Sequence, residues 1–264
     1  MNFVLIDASY YIFFRYYALK NWWGFAKDDS EPANIEDSER GMEKFRTTFV
    51  EKIHELITKL KIKNPIIIVG KDCPQKKIWR HTDIVEYKGN RKNEDNVKPM
   101  FECAFNEKLF EKAGAKSILE YPSLEADDCI AITTKHILEK HPDVHVHIIT
   151  SDMDYLQIAG ERVTLVDLKY KKLTDSKNSF KDAKKDLFCK IVCGDKSDNI
   201  PSIFPRCGLK TAAKLYDNPD EFKEKLEKTP GAKEMYERNQ KIIDFNYIPK
   251  ELVDGFKKDV LLLK

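Results

Sequence analysis

Ser123-Leu124-Glu125-Ala126-Asp127-Asp128 puts three carboxylates within four residues. A strand-like run, Lys116-Ser117-Ile118-Leu119-Glu120, leads into it, and Ile130, Ile137 and Leu138 follow it at i, i+7 and i+8. That recurrence falls on one helical face, so the acids open a helix just past a strand. Acids in a first helical turn meet the positive end of the helix dipole, which is one reason for them to be there. On a helix Glu125 and Asp128 share a side while Asp127 points away from Glu125, so the spacing predicts neighbouring sites for them.

Working outward, the same strand-then-acid pattern returns. Phe3-Val4-Leu5-Ile6 and Ile66-Ile67-Ile68-Val69 are short continuous apolar runs of the kind buried in parallel sheets. Asp7 ends the first, and Gly70-Lys71-Asp72 follows the second. Val144-His145-Val146-His147-Ile148-Ile149-Thr150 runs into Ser151-Asp152-Met153-Asp154, and Val163-Thr164-Leu165-Val166 reads as a fifth strand. Between them, Ser9 to Tyr17 is an aromatic helix, Phe45, Phe49, Ile53, Leu56 and Leu60 keep a helical period, and Phe101 to Ala113 reads as one helix. Past about residue 185 the pattern turns helical and basic. Strand and helix alternating in this way predict an α/β fold, a mostly parallel central sheet with helices on both faces. In such folds ligands bind beyond the carboxyl ends of the strands. Asp7, Asp72, Glu125 and Asp152 would converge there. Asp127, Asp128, Asp154, Asp195 and Asp198 bring the candidates to nine.

Composition bounds the rest. With 264 residues, 42% hydrophobic and 34% charged, the chain can bury a core as one large domain or two modest ones. A net charge of +2, from 46 basic and 44 acidic residues, does not mark a nucleic-acid binder; clustered acids and scattered lysines say more. No apolar run reaches membrane-span length. The start reads at once as a strand without a charged leader, which argues against a cleavable signal peptide. Six cysteines in that setting read as reduced thiols of an intracellular protein.

Nine carboxylates cannot stay ionised side by side unaided: two unit charges ~4 Å apart repel by roughly 4 kcal/mol at an effective dielectric of about 20. Divalent cations are the obvious compensation, and all-oxygen ligands favour Mg²⁺ or Mn²⁺ over Zn²⁺. Two such ions about 4 Å apart clamp an in-line displacement at phosphorus. Asp195 and Asp198 read equally as turn residues. His145 and His147 lack a third ligand at useful spacing and read as core or rim. Cys189 and Cys193 read as buried thiols. No glycine-rich phosphate loop precedes a helix. Lys76, Lys77, Arg80, Lys88, Arg91 and Lys92 form either a solvated face or a phosphate-contacting stripe. Some rings among Tyr10 to Phe25 would be exposed, where they could stack on bases.

Several segments, in order, resemble the flap endonuclease, or 5′-nuclease, family, which includes the nuclease domain of bacterial DNA polymerase I and phage ribonuclease H. They are Ile6-Asp7-Ala8-Ser9-Tyr10 with Phe14-Arg15, Tyr87-Lys88-Gly89-Asn90-Arg91, Glu125-Ala126-Asp127-Asp128, Thr150-Ser151-Asp152-Met153-Asp154, and Gly194-Asp195-Lys196-Ser197-Asp198-Asn199-Ile200-Pro201. Ile243-Asp244-Phe245-Asn246-Tyr247-Ile248-Pro249 resembles the phage ribonuclease H branch. The resemblance implies a PIN-like nuclease core over 1–185, with a helical arch at about 88–112, and a helix-hairpin-helix region over 186–264 packed on it. It implies a structure-specific 5′-nuclease that cuts DNA at 5′ ends or flaps and leaves a 5′-phosphate and a 3′-hydroxyl.

One Mg²⁺, for which Mn²⁺ may substitute, would be held by Asp7, Asp72, Glu125 and Asp127. A second would be held by Asp152, Asp154 and Asp198, with Asp128 and Asp195 close by. Lys88 would contact the scissile phosphate, supported by Arg91 and Arg80. Arg15, Lys92, Arg206, Lys210, Thr211 and Lys214 would contact DNA. The implied partners are DNA with a 5′ flap, nick or free 5′ end, an RNA–DNA hybrid at a primer, and replication proteins, with the chain a monomer and no membrane involved. The family hairpin holds K⁺ and usually reads Gly-x-Gly; here Arg206-Cys207-Gly208 stands in that place, and Ser202 where another glycine is common, so side chains crowd the backbone approach. A PIN-type ribonuclease on single-stranded RNA would share the strand-end acids without needing a basic helical end. A non-catalytic branched-DNA binder would have no use for metal ligands.

Overall fold

The protein is described by a computed structural model over residues 1–84, 86–90 and 95–262. Strand β1 (Asn2–Asp7) runs without a loop into helix α1 (Ala8–Ala26), because Asp7 is both the last strand residue and the helix cap. Its carboxylate accepts from the Tyr10 N–H at 3.0 Å, the usual service of an N-cap aspartate. Helix α2 (Glu39–Lys59) follows, capped by Ser38, and leads to β2 (Pro65–Gly70). Pro65 stands at the first position of the strand, where a missing N–H is tolerated.

Next come α3 (Lys98–Asn106), α4 (Leu109–Lys112), β3 (Ala115–Leu119), α5 (Ala126–Lys140), β4 (His145–Ile149) and β5 (Val163–Val166). The single helix expected over Phe101 to Ala113 is broken: Lys108 turns left-handed at φ 55°, which starts α4 on a new axis. Met100, Cys103, Ala104, Leu109 and Phe110 are buried against α1 and α2. One side of the stretch expected as an arch at 88–112 thus packs on the core, and residues 91–94 of it lie outside the described residues.

Among the described residues the strands form a five-stranded parallel sheet in the order β3-β2-β1-β4-β5. Leu5 pairs with Ile68 on one side and Ile148 on the other. One face buries Val4, Ile6 and Val69 under Tyr11, Trp23, Phe45 and Phe49 of α1 and α2. The other buries Leu5, Ile68 and Ile148 under Cys129, Ile130 and Ile132 of α5. Two covered faces explain why β1 is a continuous apolar run rather than an alternating one. Each such side chain, fully buried, contributes roughly 1.5–3 kcal/mol.

The chain then enters a helical region, α6 (Ala183–Cys193), α7 (Leu209–Asp217), α8 (Pro219–Lys228) and α9 (Ala232–Ile243), around Val192, Phe204, Ala212 and Leu215. A small cluster of Cys73, Ile78, Tyr87, Ile191, Ile200 and Ile242 joins it to the sheet. Helix α10 (Lys250–Phe256) returns to the α5 side, where Phe245, Ile248 and Phe256 share the core of Leu5 and Ile130. All six cysteines are free. Among the described residues no helix is long and apolar enough to cross a membrane.

Candidate metal centre

The strand order reverses at β1, whose neighbours β2 and β4 lead to opposite edges of the sheet. A crevice opens at such a point beyond the carboxyl ends, and Asp7, Asp72 and Asp152 stand at the ends of these three strands. Burial, then Asp72, with Asp152 adding, pushes the Asp7 carboxyl up to about 7, against the pull of the Tyr10 N–H. Asp72, two residues beyond β2, reaches this crevice: it accepts from the Ala126 N–H at 2.9 Å and from Ser9 Oγ at 2.5 Å.

The acidic stretch at the start of α5 behaves differently from its helical spacing. Glu125 is the extended N-cap (φ −82°, ψ 167°), outside the helical rotation. Its side chain therefore swings to meet Asp127, and oxygens of Glu125, Asp127 and Asp128 come within 4.8 Å of one another. Glu125 and Asp127 do not point apart. Burial, then Asp128, with Glu125 adding, raises the Asp127 carboxyl well above the usual range. Asp128 is 0% exposed and committed inward. Arg80 donates to both of its oxygens (2.7 and 2.8 Å), Trp79 Nε1 donates at 2.9 Å and the Glu125 N–H at 3.1 Å.

Arg80, expected near the scissile phosphate, is 2% exposed. Its remaining bonds go to Glu125 (2.7 Å) and the Ile242 carbonyl (2.8 Å), so it holds the acids rather than facing the crevice. Lys88 does reach the acids: Nζ pairs with Glu125 and lies 4.0 Å from Asp198, bridging two groups of carboxylates. The Tyr87 hydroxyl lies 3.2 Å from Glu125 and 3.3 Å from Asp198. Burial pushes the Glu125 carboxyl up, but Arg80 and Lys88 outweigh it and leave it below its ordinary value.

The second group comes from the loop after α6 and the turn after β4. Oxygens of Asp154, Asp195 and Asp198 also lie within 4.8 Å of one another. Gly194 makes the turn that carries Asp195: its φ is 67°, and a Cβ there would meet the Ile200 carbonyl at 2.4 Å. The loop is closed by paired bonds between Asp195 and Ile200, at 2.8 and 2.7 Å, so Asp195 and Asp198 are turn residues and cluster members together. Lys190 of α6 sits among them, 2.6 Å from Asp154 and 2.5 Å from Asp195. Burial pushes the Asp195 carboxyl up, but Lys190 and Ser197 bring it to about 2. Asp154 stays up at about 7 through burial and Asp152, Lys190 notwithstanding.

The donor set suits a hard divalent cation, which takes oxygen ligands. Asp7, Asp72, Asp127, Asp152 and Asp195 each have one oxygen fixed by a backbone N–H. In Asp7, Asp127 and Asp152 the other oxygen takes no hydrogen bond from a described residue. Burial foremost, and neighbouring carboxylates after it, keep Asp7, Asp127 and Asp154 raised against the pull of Arg80, Lys88 and Lys190.

The expected nucleic-acid contacts divide. Arg15 is 8% exposed, because α1 turns it to the side of Tyr11, Ile12 and Leu19, and burial lowers its pKa. Arg206, Lys210, Thr211 and Lys214 are exposed around the start of α7. Arg206 has φ 58°, a left-handed turn taken by an arginine just before α7. Arg91 and Lys92 lie outside the described residues. Sequence reasoning missed Lys190, and it quoted Tyr87 without a role. A lysine five residues before Asp195 was the available signal for the first.

Residues 2–187 match the family model of the 5′-3′ exonuclease, N-terminal resolvase-like domain. Among solved structures, the fold resembles bacteriophage T5 proteins at 18% identity. One is a T5 protein co-crystallised with metal ions, with a TM-score of 0.68 over 100% of this chain and 99% of that one. Another is a T5 5′-exonuclease with bound zinc, TM-score 0.68 over 99% of each chain. A third is a T5 flap endonuclease pseudo-enzyme–product complex with DNA and metal ions, TM-score 0.67 over 100% of this chain and 99% of that one.

Proposed function

Because the chain belongs to the 5′-3′ exonuclease family through its N-terminal resolvase-like domain, we propose that it hydrolyses DNA phosphodiesters at 5′ ends and 5′ flaps, leaving a 5′-phosphate and a 3′-hydroxyl. RNA paired to DNA at a primer is a further substrate of this reading. The observation that carries it is the meeting of carboxylates far apart in the chain in two trios, Glu125, Asp127 and Asp128 at the start of α5 and Asp154, Asp195 and Asp198 from the turns after β4 and α6, each within 4.8 Å, with Lys88 between them.

Two Mg²⁺ ions, replaceable by Mn²⁺, would be held by Asp7, Asp72, Glu125 and Asp127 and by Asp152, Asp154 and Asp198, with Asp195 beside them. When bound, such ions activate water and stabilise charge on the leaving oxygen. The chain's own groups do the rest. Lys88, between Glu125 and Asp198, orients a phosphate oxygen and offsets its charge. Arg91, outside the described residues, would support Lys88 at the phosphate, and Lys92, also outside them, would contact DNA, as the sequence resemblance implies. Arg80 and Trp79 fix Asp128, which in turn holds the Glu125 backbone.

Residues 1–185 would form the cutting unit, and 186–264 the unit that grips duplex. Arg206, Lys210, Thr211 and Lys214 offer cations and N–H groups to phosphates at the start of α7. K⁺ at this hairpin is part of the same reading, which the left-handed turn at Arg206 supports. The chain works as a monomer inside the cell, where replication proteins are its expected company.

The test is a digestion panel of flap, nick, gap, blunt, RNA-primed and unstructured RNA substrates, in Mg²⁺ and in EDTA. Wild type should cut flaps and 5′ ends only with the cation. Asp152→Asn with Asp154→Asn should lower that rate by more than the roughly 10–100-fold that outer partners of a metal site are worth. Undiminished cleavage by the double variant removes the assignment. Preference for unstructured RNA replaces it with a ribonuclease, and binding without turnover replaces it with a DNA-binding protein.

A further inference from the structure

A second hollow lies beside the stretches that carry Lys88 and Asp198, and the proposed reaction leaves it without a task. Its volume is about 720 Å³, within the roughly 300–1,000 Å³ of pockets that seat a small molecule. Asn90 and Asn199 line it, the first just past Lys88 and the second next to Asp198. The two stretches are fastened together there: the Lys88 N–H donates to the Asp198 carbonyl at 3.0 Å, and Asn90 Nδ2 to Asn199 Oδ1 at 3.2 Å. Arg238 of α9 also lines the hollow. Its Nε is buried and has no hydrogen-bond partner among the described residues, and Nη2 reaches only the adjacent Asn239, at 3.3 Å. Buried polar groups are nearly always paired, so a guanidinium left open beside a hollow points to a ligand. Of the acids in the lining, Asp83 is paired with Lys241 at 2.7 Å, which leaves Arg238 and Lys196 against Glu86 alone.

We propose that this hollow takes one nucleotide of an unpaired strand, in the 5′ flap close to the bond that is cut. Arg238 and Lys196 hold its phosphate, and the amides of Asn90 and Asn199 meet its base. A fork of open N–H donors suits the several oxygens of a phosphate. A side-chain amide carries a donor and an acceptor side by side, as a base edge does, and the pairing edge of a base stands free only in an unpaired strand. Nearness to Lys88, which orients the scissile phosphate in the proposed reaction, sets the nucleotide a short way along the same strand. The inference rests on that reading and adds which part of the substrate this side of the protein grips.

The experiment measures binding in EDTA, so that it does not depend on turnover. Fluorescence anisotropy compares a nicked duplex carrying a 5′ oligo-dT flap with the same nick lacking the flap. Arg238→Met keeps the stem and removes the guanidinium. It should weaken binding of the flapped duplex by about tenfold or more and leave the flapless one unchanged. Flap phosphates are then replaced singly by uncharged methylphosphonates. One position should cost wild type the same factor and cost Arg238→Met nothing further. Unchanged binding of the flap overturns the inference and leaves the proposed function standing. An equal loss on both duplexes marks a duplex contact and overturns it too. If Arg238→Met melts early, Lys196→Ala, at an exposed position, decides through the same scan; no phosphate coupled to it overturns the inference. Wild type that neither binds nor cuts the flap sinks the proposed function and this inference together.

Discussion

Replacing Arg80 by Met tests whether this arginine holds the acids or works on the substrate. Its guanidinium is enclosed and makes four hydrogen bonds, two to Asp128, one to Glu125 and one to the Ile242 carbonyl. Arg80→Met strands Asp128, which is 0% exposed and would keep only Trp79 and the Glu125 N–H. Removing one partner of a buried pair costs about 3–5 kcal/mol, against ~0–1 kcal/mol for a surface pair. At roughly 2–4 °C per kcal/mol for a chain of this size, the melting temperature should drop by roughly 6–20 °C. The assay is urea unfolding at neutral pH in EDTA, with thermal melting beside it. Adding Asp128→Asn removes the stranded charge while keeping an acceptor, so the double variant should recover a substantial part of the loss. An Arg80→Met protein within 1 kcal/mol of wild type would falsify this account, and so would a double variant no more stable than the single. An arginine that contacted phosphate would give the reverse pattern, intact stability with lost cleavage.

Three further outcomes follow from other parts of the molecule. Lys190→Met withdraws the cation from Asp154 and Asp195, so Mn²⁺ binding at the group of Asp154, Asp195 and Asp198 should tighten by at least about tenfold in titrations; unchanged binding would refute the placement of Lys190 as its competitor. Gly194→Ala sets a Cβ against the Ile200 carbonyl at a φ of 67°, which should cost at least about 2 kcal/mol in urea unfolding and loosen Mn²⁺ binding; a neutral substitution would mean that the Asp195–Ile200 loop can shift freely. Burial, then His145, holds His147 down at about 4. The unfolded chain takes its proton first as pH falls, so this group's stability is present above about pH 6.5 and lost towards pH 4. His147 is partly solvated, and screening holds the loss to about 1 kcal/mol between pH 7 and pH 5. His147→Gln should flatten that acid limb, while an unaltered pH profile would show that His147 is fully solvated in the native state.

Much of the architecture was legible one segment at a time. The five strands and the helices between them are local features, written in runs such as Phe3–Ile6 and in the period of Phe45, Phe49 and Ile53, and burial on both faces of the sheet keeps that pattern plain. The placing of acids after strands was legible too, since a parallel sheet sends all its carboxyl ends the same way. The break at Lys108 was not, because a left-handed lysine leaves no mark in composition.

What the residues around the acids do was decided by packing. Arg15 and Arg80 look like any surface arginine in sequence. The first is buried because α1 presents it to the side of Tyr11 and Leu19, and the second because Asp128, Glu125 and the Ile242 carbonyl meet around it. Glu125 joined Asp127 because a cap is extended where a helix would have turned it away. Lys190 and Asp154 are brought together across elements far apart in the chain. A carboxylate's electrostatics depend on the few charges within several ångströms and on how much water they exclude, and neither is a property of its neighbours in sequence. The chain alone determined the sheet and which acids reach its end. Tertiary contacts determined which of those acids remain open and which are already spoken for by an arginine or a lysine.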